Sequence, residues 1–138
     1  MASGSANVRM FLRAADQRLE DARVLAEGGR DAGAMYLAGY AAECGLKAML
    51  LAAVPASGER AILETFRGAA AHDLPALRAR YRQAGGAGFS TEIIRTFAEL
   101  SDWAVALRYD PRPGTPRESA RFVASAQSVL AFCRNRSR

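Results

Sequence analysis

The 138-residue chain is poor in the residue types that metal centres, disulfide frameworks and many catalytic sites are built from. It contains two cysteines, Cys44 and Cys133, and one histidine, His72. Two isolated cysteines form neither a disulfide framework nor a zinc site, so we interpret both as reduced core residues of a cytoplasmic protein. Phosphate-binding glycine loops, paired Cys/His spacings and a Gly-x-Ser-x-Gly turn are missing. The sequence therefore predicts neither a metal nor a cofactor.

β-Branched residues are also sparse, whereas alanine, leucine and arginine are abundant, which favours helix throughout. Half of the chain is hydrophobic and 24% is charged, a composition typical of a globular domain and unlike a disordered one. A length of 138 residues suits one domain with one core. We predict a single helical domain over residues 1–138, with a frayed basic tail at 134–138.

Lysine is nearly absent: Lys47 is the single lysine, and the other 18 basic residues are arginines. The net charge of +5 is compatible with a nucleic acid or another anionic partner. The N-terminus lacks the pattern of a signal peptide, so none is expected. Residues 32–56 are apolar enough to suggest a membrane span, but Glu43 and Lys47 lie near its centre, where each charge would cost roughly 2.5 to 3.5 kcal/mol. We expect a buried helix here and no membrane partner.

Apolar residues at helical spacing predict a first helix from Ser5, its N-cap, to about Glu27. A second, central helix is capped by Asp31 and runs to about Val54, before a proline. Capping residues predict that the remaining helices, the first of them short, begin near Ser57, Asp73, Ser90 and Thr115. No strand alternation is present. The fold class is therefore all-α: an up-and-down bundle of four to five main helices plus a short helix.

The central helix carries four polar or amphipathic residues on one face, because their spacing is four, three and four: Tyr36, Tyr40, Glu43 and Lys47. The ordinary interpretation is a solvated edge with an ion pair worth roughly 0.2 to 0.5 kcal/mol. Apolar flanks, and an ammonium where arginine is otherwise used, favour a ligand-binding face or a buried polar network. Glycines within the same helix, at 33, 39 and 45, are expected to admit a neighbouring helix closely.

Three further positions could carry chemistry. His72 precedes a helix start beside Asp73, and is either a general acid/base or an ordinary loop residue. Arg67 lies before it in an Arg-x4-His spacing. Arg108, followed by Tyr109, ends a helix, where its guanidinium either complements the helix dipole or meets Glu43 or a phosphate.

The segments "LEDARVLAEGGRDAGAMYLAGYAAECGLKAML", "HDL", "W" and "LRYDP" together resemble a HEPN domain (higher eukaryotes and prokaryotes nucleotide-binding), over about residues 18–130. The resemblance implies a helical bundle that is often a homodimer and is found beside minimal nucleotidyltransferases, in toxin–antitoxin pairs and in defence systems. Many members are metal-independent ribonucleases, in which an arginine and a histidine four to six residues later meet across the dimer interface. That motif maps onto Arg67 and His72, with Gly68 at the usually polar position.

Within the family, the chain is more similar to a subgroup with Glu-x3-Lys, His-Asp-Leu and Arg-Tyr motifs, some members of which look like nucleotide-binding modules without ribonuclease activity. The resemblance places Glu43, Lys47, His72 and Arg108 in one polar cluster. In it, Glu43 would orient Arg108 or His72, and Lys47 would face an anionic ligand. Asp73 and Tyr109 accompany the cluster.

Three hypotheses stay open from the sequence. The first is a HEPN protein acting on RNA or nucleotides, as a toxin–antitoxin or defence component that cleaves RNA with His72 and either Arg67 or Arg108. The second is a non-catalytic module that binds a nucleotide or a protein, such as a nucleotidyltransferase, through the face from Tyr36 to Lys47. The third is a purely structural helical dimer.

Overall fold

The computed structural model describes residues 5–68, 72–109 and 114–137, with the backbone alone for residues 102–109. The helices are α1 (Ala6–Glu27), α2 (Asp31–Ala52), α3 (Glu59–Glu64), α4 (Leu74–Gln83), α5 (Thr91–Tyr109) and α6 (Pro116–Arg136), with a 3-10 turn at Ala56–Gly58. Five are long and one is short, and the described residues include no strand. The predicted all-α bundle is confirmed.

Helix α2 is the centre of the bundle, as its all-round apolar sequence predicts. It packs against α1, α4, α5 and α6. The connection between α1 and α2 is short because Gly29 adopts a positive φ of 78°, which glycine tolerates without steric cost. Almost the whole second half of α2, from Ala41 to Leu51, is buried. Any charge on that stretch must therefore find its partner inside the protein.

The helix starts agree with four of the predicted caps. Before α5, the Ser90 hydroxyl accepts a hydrogen bond of 3.3 Å from the Ile93 amide. The Ser5 side chain accepts a hydrogen bond from the Val8 amide, and the Asp73 side chain accepts one from the Ala76 amide. Thr115 and Glu118 form a reciprocal capping box. The cap at Asp73 fixes where the backbone enters α4, directly after His72.

The predicted cap at Asp31 is wrong. The N-cap of α2 is Arg30, which makes no side-chain capping bond, and Asp31 is the first helical residue. Its carboxylate turns inward and accepts a hydrogen bond of 2.6 Å from the Ser119 hydroxyl. Both side chains are buried. Asp31 thus links the start of α2 to the first turn of α6 instead of closing its own helix.

The expected close approach of a helix to a glycine of α2 is found at Gly45. A methyl group there would lie 3.1 Å from Cβ and 3.2 Å from Sγ of Cys133 in α6. At Gly39 the nearest atom would be 3.8 Å away, on Phe122, which is ordinary contact. Cys44 and Cys133 are both free and buried. The two helices therefore approach each other closely at Gly45.

The basic C-terminal segment continues helix α6 through Arg136. Arg134 pairs with Asp16 of α1. Arg136 donates hydrogen bonds to the carbonyls of Ala87, at 3.0 Å, and Gly88, at 2.9 Å. Its guanidinium also lies over the Phe132 ring. The guanidinium satisfies loop carbonyls that would otherwise face solvent, so the end of α6 is held against the connection between α4 and α5.

No helix in the described parts of the chain combines the length and the apolar character needed to cross a membrane.

Candidate functional site

The centre of the candidate site is the buried ion pair on α2. Lys47 Nζ lies 2.9 Å from Glu43 Oε2, and both residues are only 6% exposed. The spacing of four residues brings the side chains onto one face of the helix. The predicted pair therefore forms, and it is buried, unlike the solvated edge of the ordinary interpretation.

His72 completes a chain of three polar side chains. Its Nδ1 lies 3.0 Å from the same Glu43 oxygen that receives Lys47. The imidazole is 47% exposed, whereas the carboxylate behind it is almost fully buried. When Nδ1 donates its proton to a carboxylate, Nε2 keeps its lone pair and is free to act as a base. We refer to these residues as the Lys47–Glu43–His72 chain.

A cleft of about 150 Å³ opens beside His72. We call it the tyrosine cleft, and its lining residues are Met35, Tyr36, Gly39, Tyr40, Glu43, His72 and Leu74. Tyr36 is 61% exposed and Tyr40 is 38% exposed. The polar face of α2 is thus divided into an open half with two aromatic rings and a buried half with the ion pair.

The environment keeps the hydroxyl and thiol groups near the cleft neutral. The pKa of Tyr40 is raised by the neighbouring Cys44, by burial and by Glu43. Burial, and then the Glu43 charge, raise the pKa of the Cys44 thiol to about 11. A protonated phenol can donate a hydrogen bond, whereas a protonated buried thiol is a poor nucleophile. Chemistry at this site therefore points to His72 and away from Cys44.

The aromatic ring of Phe66 packs against the Lys47 end of the ion pair. Its ring centroid lies 5.2 Å from Lys47 Nζ and 5.6 Å from the Arg80 guanidinium. The Phe11 and Phe66 rings pack in a T-shaped arrangement, with 5.5 Å between centroids. Lys47 is thus enclosed between Glu43 and an aromatic ring, and it does not line the tyrosine cleft.

Other predicted site residues are placed apart or lie outside the description. Arg67 is exposed in the turn after α3, and within the described residues the structure shows no contact between it and His72. Asp73 serves as the N-cap of α4. Arg108 and Tyr109 belong to the last turn of α5, but their side chains lie outside the described part of the chain.

Sequence reasoning missed Phe66 and the apolar wall of the cleft at Met35 and Leu74. Phe66 contacts a residue 19 positions away across a turn, and nothing in the local pattern indicates such a contact. Met35 and Leu74 read as ordinary core residues. The sequence indicates only that Gly39 is a glycine within a helix, and the structure places it in the wall of the cleft. Among the described residues, no three His, Cys, Asp or Glu side chains group as a metal site would require.

The family model for the HEPN domain matches residues 8–136. The chain belongs to the HEPN family. This family is generally linked to nucleotide or RNA binding or to ribonuclease activity. The fold also matches the crystal structure of TT1696 from Thermus thermophilus, with a TM-score of 0.72 and 22% identity over 96% of this chain and 99% of that one. At this identity the likeness concerns the fold. A comparison with curated proteins gives no match.

Proposed function

We propose that this HEPN protein is a metal-independent endoribonuclease in which His72 is the general base. The observation that supports this proposal is the Lys47–Glu43–His72 chain at the tyrosine cleft. A half-exposed imidazole whose Nδ1 is held by a buried carboxylate is the arrangement that orients histidine bases in other hydrolytic sites. His72 is the single histidine of the chain, so the proposal rests on one residue.

In the proposed reaction, Nε2 of His72 takes the proton of a ribose 2′-hydroxyl. The 2′-oxygen attacks the adjacent phosphorus, and the bond to the 5′-oxygen breaks. The products are a 2′,3′-cyclic phosphate and a 5′-hydroxyl, which receives a proton from an acid or from water. A guanidinium would stabilise the charge on the phosphoryl oxygens. Arg67 and Arg108 are the candidates, and in a homodimer the arginine of one subunit would serve the histidine of the other.

The two tyrosines of the cleft are proposed to hold unpaired bases. Exposed aromatic rings stack on bases of single-stranded RNA, and each stacked base contributes about 1 to 3 kcal/mol. The cleft, at about 150 Å³, is smaller than the roughly 300 to 1,000 Å³ of typical small-molecule sites. This size favours one unpaired base of a longer strand over an enclosed dinucleotide.

The test is cleavage of structured and unstructured RNA in EDTA. His72→Gln keeps a polar side chain at this position but cannot transfer a proton at neutral pH. We expect this variant to cleave RNA about 10²- to 10⁴-fold more slowly. Arg67→Ala and Arg108→Ala are compared in the same assay, and loss of cleavage in one of them identifies the required guanidinium. Arg60→Ala, an arginine of α3 with a 93% exposed side chain, is the matched control and should cleave like the wild type.

The chemical groups at the ends of the RNA fragments test the proposed mechanism. Fragments that end in 2′,3′-cyclic phosphate support the proposed attack by the 2′-hydroxyl. Wild-type activity equal to the His72→Gln background on every RNA would refute the ribonuclease proposal. Growth arrest on expression, relieved by His72→Gln, would extend it to a toxin role.

A second candidate is a non-catalytic nucleotide- or RNA-binding module, for example the partner of a nucleotidyltransferase. The exposure of Tyr36 and Tyr40 favours it, because such rings can bind a base without any chemistry. For this function we expect binding that His72→Gln leaves intact and that Tyr36→Ala weakens, with no cleavage by the wild type.

A further inference from the structure

We propose that Lys47 is a positioning residue, which fixes the proton of His72 on Nδ1 by acting through Glu43. The consequence for catalysis rests on the ribonuclease function proposed above. The effect on the imidazole does not, because it follows from the contacts of the three side chains.

The first observation is that a single oxygen accepts both partners. Lys47 Nζ and His72 Nδ1 lie 2.9 Å and 3.0 Å from Glu43 Oε2. An ammonium can only donate, and an ionised carboxylate can only accept. The imidazole nitrogen that faces this oxygen must therefore carry a proton. The lone pair of the neutral ring is then on Nε2.

The second observation is that Lys47 is enclosed. It is 6% exposed and its ammonium lies 5.2 Å from the centroid of Phe66. It is not among the residues that line the tyrosine cleft. Lys47 is therefore poorly placed to bind RNA itself. Its role is to balance the buried charge of Glu43, since a buried carboxylate without its cation is strongly unfavourable.

The third observation concerns residue type. The chain uses arginine at 18 of its 19 basic positions and lysine at this one. A guanidinium is a wide planar fork with five donors, whereas an ammonium is a compact point charge. In the space between Glu43 and Phe66, the compact group can meet one carboxylate oxygen and leave that oxygen able to accept from His72 as well. An arginine would take the carboxylate as a bidentate partner.

The test uses the fact that the chain has one histidine, so its imidazole ¹⁵N signals report on His72 without ambiguity. In the wild type at pH 8, we expect the proton on Nδ1, the reverse of free histidine, which prefers Nε2. Lys47→Met should shift the proton toward Nε2, because a buried carboxylate that loses its cation is neutralised by a proton and can then donate to Nδ1. It should also lower kcat by about 10- to 100-fold, as removal of an outer partner of a functional histidine does, with little change in the Kd for RNA. Lys47→Arg should not restore the wild-type signals.

Ser119→Ala is the matched control, because it also removes a buried hydrogen bond to a carboxylate of α2 but at the opposite end of the helix. It should keep the wild-type imidazole signals. A proton on Nε2 in the wild type would overturn the proposal, and this measurement needs no variant to fold. Unchanged signals in Lys47→Met or restored signals in Lys47→Arg would also overturn it. A shifted proton without RNA cleavage in any protein would support the positioning role and reject the ribonuclease.

Discussion

At the scale of single residues, two pairs of a glutamate and a basic residue have the same i,i+4 spacing but contribute differently to stability. Glu43 and Lys47 are 2.9 Å apart and buried, whereas Arg60 and Glu64 are 3.9 Å apart with side chains 93% and 66% exposed. Water and salt screen the exposed pair, so it contributes little. The buried pair has lost that hydration, and each charge depends on the other. Identical spacing in sequence therefore gives two different physical interactions.

We expect Lys47→Met to lower the free energy of unfolding by about 3 to 5 kcal/mol, because it removes the cation that compensates the buried Glu43 carboxylate. Adding Glu43→Gln should recover part of this loss. Urea denaturation of the two single variants and the double variant gives the coupling energy. Arg60→Met, the exposed counterpart, should change stability little. Additive losses at Glu43 and Lys47 would contradict the interdependence of the pair.

The Cys44 thiol gives a prediction for the pH dependence of stability. Its pKa is about 11 in the folded protein and 9.0 in the unperturbed state, mainly because burial disfavours the thiolate. Above pH 9 the unfolded chain therefore releases this proton first, and stability falls as pH rises from 9 to 11. The expected loss from this group is about 2 to 3 kcal/mol across that window.

The measurement is urea denaturation between pH 7 and pH 11 for the wild type and for Cys44→Ala. The alanine variant removes the contribution of this thiol together with its effect on the pKa of the neighbouring Tyr40, so its stability should fall less steeply above pH 9. Parallel curves for the two proteins would contradict the raised pKa of Cys44.

At the scale of elements, the sequence predicted the helices well, because caps, periodicity and glycine breaks are local. Ser5, Asp73, Ser90 and Thr115 act as the predicted caps. The errors concern partners far along the chain. Asp31 has the ordinary appearance of a cap, but it is bonded to Ser119, 88 positions later. The candidate site also combines local and distant contacts. The shared face of α2 was predictable from residue spacing, whereas the packing of Phe66 against the Lys47 ammonium was not.

Helix α2 should respond differently to alanine at two of its glycines. Gly39→Ala should stabilise the protein by about 0.5 to 1 kcal/mol, because alanine favours helix and the new methyl group meets no atom closer than 3.8 Å. At Gly45 the methyl group would lie 3.1 Å from Cys133 Cβ, and such overpacking typically costs about 1 to 3 kcal/mol. Urea denaturation should therefore rank Gly39→Ala above the wild type and Gly45→Ala below it. The opposite order would mean that α2 and α6 separate at little cost.

At the scale of the whole molecule, both ends of α6 make hydrogen bonds to other parts of the bundle. Asp31 and Ser119 connect its first turn to the start of α2. Arg136, in its last turn, connects it to the carbonyls of the connection between α4 and α5. Both connections join segments that are distant in sequence, so α6 links the central helix to the second half of the domain.

Removing the connection at Arg136 should loosen the segment that it holds. Arg136→Ala leaves the carbonyls of Ala87 and Gly88 without their donor, and we expect faster amide hydrogen exchange in residues 84–89. Arg134→Ala, two residues earlier, removes only an exposed pair with Asp16 and serves as the control. Equal exchange in both variants would show that the hydrogen bonds from Arg136 do not hold this segment.

The burial of the single lysine also determines how the folded chain meets a lysine-specific protease. The bond after Lys47 is the one such cleavage site in the sequence, and it lies in the fully buried half of α2. A protease needs an extended, accessible backbone, so the native fold should resist cutting until the central helix opens. The rate at which the two fragments appear would then report the opening of α2 directly, with no label and no altered residue.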